Sequence, residues 1–169
     1  TLPAASAEKP YVVRVAPGTY TETSTVALKD FVDIEGSGQG VTTINCQCGS
    51  SSFGSPSAVV SVDGSIAEIR HLTINNTGTT DTGTTATYGL FTTGGDSGSF
   101  SMLHITVTAT GGTDNYGVYN FSSSPSMTNV TATATGGADS YGVYNLSSSP
   151  TMNNVTATAT GGANSHGVY

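Results

Sequence analysis

From Met102 to the last residue the chain repeats with a step of 25 residues, which places Met102, Met127 and Met152 in one column and Thr106, Thr131 and Thr156 in another. Val118, Val143 and Val168 and the glycine pairs that begin at 111, 136 and 161 keep the same step. Strict repetition at this length implies a solenoid, in which each unit buries its apolar face against its neighbours. Within a unit, Val130, Ala132 and Ala134 alternate with Thr131, Thr133 and Thr135. This is the two-residue period of a strand, and a helix would put neither set on one side. A Gly-Gly-x-Asp turn, a second strand in "YGVYNL", an "SSSP" turn and a third segment around Met127 complete the unit. Three strands and three turns in 25 residues describe one coil of an all-β, single-stranded parallel β-helix.

Upstream the period loosens. "RHLTINNTG" matches "LHITVTATG", and "YGLF" at Tyr88 matches "YGVY" at Tyr116, with a Thr- and Gly-rich insertion near Thr79 to Thr87 that reads as a bulging loop. Earlier still, "YVVRVAPG", "TVALKD", "FVDIEGSG" and "AVVSVDG" are strand-length runs closed by Gly, Asp or Pro. The expectation is one β-helix over residues 1–169 with six to seven coils, stacked to roughly 30 Å. Irregular coils occupy 1–70, a coil with an inserted loop 71–100, and regular repeats 101–169, as a piece of a longer chain whose open end further coils or another molecule would cover.

Composition limits the partners. Four Lys and Arg against eleven Asp and Glu give a net charge of -7 without a basic cluster, which disfavours nucleic acid and anionic membrane surfaces. Cys46 and Cys48 supply two of the four ligands that zinc wants, with no His nearby in sequence. No metal or cofactor is expected. In an extended strand the two Cα atoms would lie about 6.6 Å apart, so a disulfide needs a local bend, and free thiols and a bridge both remain open.

The words "PGTYTE" at Pro17 to Glu22 and "GSGQGVTTI" at Gly36 to Ile44 resemble the opening coils of the pectin lyase-like right-handed β-helix superfamily, pectinesterases in particular. The repeats are similar to those of bacterial surface and phage tail-fibre-like proteins. The resemblance to pectinesterases implies catalytic motifs such as QDTL, DFIFG and a later Arg/Trp pair; none is present, and no catalytic residue carries over.

Several columns invite a functional reading. Thr106, Thr108 and Thr110, Thr131, Thr133 and Thr135, and Thr156, Thr158 and Thr160 form a grid of hydroxyls similar to the ice-binding face of β-solenoid antifreeze proteins. The plainer reading is a soluble β-branched face. Phe91, Tyr119, Tyr144 and Tyr169 form an aromatic file expected outside the core, since Tyr116 and Tyr141 share parity with Val118 and Val143. Such a file could bind sugar, or merely stack along the solenoid. His71, His104, Asn129 and Asn154 share one column and Asn120 and Asn145 another, both read as hydrogen-bonded ladders. Asp114 and Asp139 read as solvated turn residues. Asp33 and Glu35, at i and i+2 on one strand face, sit at a separation a hydrolase pair could use, although a solvated edge explains them too.

These observations point to a non-catalytic, secreted or cell-surface β-helix, a stalk or adhesin-like scaffold with a glycan or polysaccharide as possible partner. One alternative is a fragment of a pectin- or polysaccharide-active lyase, hydrolase or esterase whose active site lies outside this segment; another is ice binding through the threonine grid.

Overall fold

A computed structural model describes residues 3–49, 58–78, 86–94 and 100–169. The strands run β1 Tyr11–Arg14, β2 Gly18–Glu22, β3 Val26–Ala27, β4 Val32–Glu35, β5 Thr42–Cys46, β6 Ala58–Asp63 and β7 Ala67–Asn76. They continue as β8 Ala86–Thr93, β9 Phe100–Thr110, β10 Asp114–Phe121, β11 Ser126–Thr135, β12 Asp139–Leu146, β13 Thr151–Thr160 and β14 Asn164–Val168. One sheet has the order β1-β4-β7-β9-β11-β13, with β2 and β5 joining it through β7, and a second has the order β14-β12-β10-β8-β6-β3. All pairings between these strands are parallel, and in the repeats the partners are the equivalent residues one coil away, as in Tyr116↔Tyr141 and Thr131↔Thr156.

The three-sided coil arises from one backbone device. In the early coils the first two sides are separate strands, β1 then β2 and β4 then β5. From β7 onward one residue in the left-handed region joins them. These residues are His71, His104, Asn129 and Asn154, with φ of 56°, 51°, 53° and 53°. An L-residue pays roughly 1–2 kcal/mol for that conformation, least for Asn. The bend turns both flanking apolar positions inward, so Ile69 and Leu72, Met102 and Ile105, and Met127 and Val130 all enter the core at 0–1% exposure. That is the packing of a corner.

The core runs the length of the coil stack, from Leu28, Ile34 and Ile44 to Val118, Val130 and Val143. Cys46 and Cys48 are joined in a disulfide with Cα atoms 5.2 Å apart, because the chain bends as it leaves β5. Asn76 secures this corner: its side-chain oxygen accepts from Cys48 N and Gly78 N, and its amide donates to Tyr88 O. Residues 79–85 of the expected inserted loop lie outside the described residues, whereas Ala86 and Thr87 are buried at the start of β8. Among the described residues, no helix is long and apolar enough to cross a membrane.

Candidate functional site: two outer faces and an ion-pair cluster

The second sheet presents an aromatic face, and its geometry corrects the expected parity. In β10, Asn115 points inward, and its amide donates to Gly112 O and Gly136 O. Gly117 follows Tyr116 and also faces inward, since a Cβ placed on it would lie 2.6 Å from Gly142 O and 3.0 Å from Thr133 N. Val118 then enters the core. Two successive inward residues shift the phase, so Tyr116 and Tyr119 both project outward, against the expectation that Tyr116 and Tyr141 point into the core. Gly89, Gly142 and Gly167 repeat the arrangement, each with an opposing strand's atoms within 3 Å of the hypothetical Cβ.

Two parallel aromatic columns result. Tyr88, Tyr116, Tyr141 and His166 stack with centroids 5.0, 5.2 and 5.6 Å apart. Phe91, Tyr119, Tyr144 and Tyr169 stack at 5.4, 4.9 and 4.8 Å. Edge contacts join the columns, as between Tyr141 and Tyr144 at 4.8 Å and 78°. The ring faces are therefore largely covered by one another, and Tyr88 and Tyr116 are themselves buried, at 1% and 6% exposure. Phe91 is only 7% exposed and offers little surface to a ligand, Tyr119 and Tyr144 are half-buried, and Tyr169 is 59% exposed. Burial foremost pushes the Tyr116 hydroxyl well above the usual tyrosine range, with the charge of Asp114 adding to it. The hydroxyls of Tyr119, Tyr141 and Tyr144 are raised as well, again chiefly by burial.

Beside these rings Asp114, Asp139 and Asn164 occupy equivalent register positions. Asn164 donates to Asp139 Oδ1 at 2.7 Å, and burial, then repulsion from Asp139, raises the Asp114 carboxyl above its ordinary value. Among the described residues no three His, Cys, Asp or Glu side chains come together as a metal site.

The outer face of β9, β11 and β13 carries the nine threonines of the predicted grid, all in register. Register also extends one file where sequence comparison missed it: Thr19, Thr43, Thr73, Thr106, Thr131 and Thr156 pair in succession through six strands. A second file beside it reads Thr21, Asn45, Asn75, Thr108, Thr133, Thr158. A few of these groups bond within the protein: Thr73 accepts from Gly40 N, Thr108 donates to Asn75, Thr110 to Asn76 O, and Thr160 to Thr135. The hydroxyls of Thr43, Thr106, Thr131, Thr133, Thr156 and Thr158 make no hydrogen bond to any described residue, and Asn45 Oδ1 is likewise without a partner.

The corner residues bond along the axis. His71 and His104 stack at 5.2 Å, Asn129 Nδ2 lies 2.7 Å from His104 Nε2, and Asn154 donates to Asn129 at 2.6 Å. The inward Asn ladder does the same, with Thr92 donating to Asn120 and Asn120 to Asn145, both at 2.8 Å.

Asp33 and Glu35 do share an outer strand face, where Arg70 engages them. Its guanidinium reaches Glu35 at 3.2 Å and Asp33 at 3.5 Å and bonds Glu68, while Arg14 lies 3.7 Å from Glu35. The Arg70 pKa is raised, first by the hydrogen bond to Glu68 and against an opposing effect of burial. A cleft of about 500 Å³ adjoins the cluster, lined by Arg14, Glu35, Gly36, Ser37, Gly38 and His71 among others.

These features define the chain as a parallel β-helix. It is similar in fold to pectin methylesterase from Yersinia enterocolitica, with a TM-score of 0.57 at 15% identity over 90% of this chain and 58% of that one. It is similar as well to the A-module of mannuronan C-5 epimerase AlgE4 from Azotobacter vinelandii, with a TM-score of 0.56 at 18% identity over 90% of this chain and 43% of that one. For pectin methylesterase PemA from Erwinia chrysanthemi the TM-score is 0.53 at 12% identity, over 92% and 55% of the respective chains. This chain thus spans about half the length of these solved structures. No family model and no curated protein matches it.

Proposed function

We propose that this chain is a non-catalytic, extracellular β-helical scaffold, a stalk or adhesin-like segment that meets polysaccharide along its tyrosine face. The observation that carries this reading is the use made of the repeated side chains. Tyrosines, asparagines and turn serines bond chiefly to their own equivalents 25 residues away, as in Tyr119 on Tyr144, Asn120 on Asn145 and Ser123 N on Ser148 Oγ. The carboxylates Asp33, Glu35 and Glu68 are likewise held by Arg70. Surface chemistry spent in this way stiffens a rod and leaves few groups free to react. A glycan would meet the exposed ring edges of Tyr119, Tyr144 and Tyr169. The Cys46–Cys48 disulfide fits an oxidising compartment.

A second reading, part of a polysaccharide-active enzyme, draws on the fold of the solved relatives and on the cleft beside Glu35. One experiment decides between them. The chain is incubated with pectin and alginate while methanol release, chain shortening and uronate epimerisation are followed, and its retention on a glycan array is measured in parallel. The scaffold reading expects no turnover and binding that Tyr144→Ala weakens; sustained turnover that Glu35→Gln abolishes would replace it with the enzyme reading.

A further inference from the structure

From the threonine face we infer a binding surface for ice, an uncharged solid of hydrogen-bonding sites repeated in two directions. The six-strand file from Thr19 to Thr156 and its neighbour from Thr21 to Thr158 form a face roughly 24 Å long at one step per coil, with about 6.7 Å between files. Six of the threonine hydroxyls on it are unbonded within the described protein, while the tyrosine and asparagine columns are engaged lengthwise. These hydroxyls of the threonine face are left to an outside partner.

The chemistry of the face narrows the partner. Its two files contain only Thr and Asn, with no charge to attract a polyanion or a cation and no aromatic ring to lie against a sugar. It is a sheet surface rather than a hollow, which does not suit a small molecule. The β-branched threonines are restricted at χ1, so the hydroxyl and methyl groups are held in fixed positions, by a backbone that in β5, β7, β9 and β11 is paired on both sides. Waters over such a grid lose little further freedom on joining a lattice of similar spacing.

The test is to grow ice from a solution of the chain, following crystal shape and the gap between melting and freezing points, and to repeat it with Thr133→Lys and Thr131→Val. Circular dichroism verifies that each variant folds; Thr131→Val keeps the branched shape and removes one hydroxyl. Faceted crystals and a freezing gap with the unaltered chain, reduced several-fold by Thr133→Lys, are the expected result. Round, unshaped crystals with the unaltered chain overturn the inference, as does shaping that folded Thr133→Lys leaves intact. Retention on crystalline cellulose or chitin without ice shaping overturns it too, and would assign the face to a neutral polysaccharide surface.

Discussion

Tyr116 and Tyr119 stand three residues apart yet lie on the same outer face with their rings 5.0 Å apart at 80°, because Gly117 and Val118 between them both turn inward. The arrangement depends on Gly117 lacking a side chain. Gly117→Ala would put a Cβ against the backbone of Gly142 and Thr133, which cannot move aside as a side-chain tip can. The expected loss is about 2–3 kcal/mol in denaturant unfolding, with weakened near-ultraviolet circular dichroism from the displaced tyrosines.

The corner residues separate two costs. Asn129→Ala loses both the bonds to His104 and Asn154 and a residue type that tolerates φ 53°, whereas Asn129→Gly loses only the bonds. Unfolding should place the alanine variant about 1–2 kcal/mol below the parent, with the glycine variant between them. Equal losses for the two would mean that the backbone term is negligible.

Asp114 gives a pH dependence of known sign. Its carboxyl titrates above the ordinary value in the folded chain, through burial and Asp139, so the folded state holds its proton more tightly than the unfolded state does. Its contribution favours folding below the ordinary carboxylate range and is lost as pH rises through the folded value. Asp114→Asn, the residue the third repeat carries at 164, should raise the melting temperature at pH 7. The advantage should vanish below about pH 4, in parallel thermal melts of both proteins. A variant no more stable than the parent at neutral pH would contradict the assignment.

Arg70 holds together three carboxylates that would otherwise repel. Arg70→Met leaves Asp33, Glu35 and Glu68 close together and unneutralised save for Arg14, which lies near Glu35. With 21% of the arginine side chain in water the loss should be about 1–2 kcal/mol, less than for a fully buried pair. Salt should restore part of it by screening the repulsion, which melts at low and high ionic strength would register.

Much of the coil could be read from spacing alone. Alternating Val, Ala and Thr in "VTATAT" settled strand and face, and the 25-residue step settled which residues stack. The tyrosine parity could not be counted, because an inward glycine breaks the two-residue rule without changing the repeat length. The only trace was a Gly standing in every "YGVY" and "YGLF" word. The long threonine file stayed hidden for the opposite reason: its early steps, Thr19 to Thr43 to Thr73 to Thr106, span 24, 30 and 33 residues. The loops change length while the strands hold register, and only pairing reveals the column. The Arg70 cluster combines carboxylates from β4 and β7, whose distance in sequence depends on residues outside the repeat.

In the regular repeats, the columns of tyrosine, asparagine and threonine are self-matching: what each side chain needs above and below it is a copy of itself. A new coil therefore requires no second change elsewhere to accommodate it, and a tandem duplication of one unit in the gene yields a longer protein that already fits. Rod length becomes a trait inherited by copying, open to variation by recombination between near-identical repeats, while a substitution in one copy is felt by two neighbours and held in check by both.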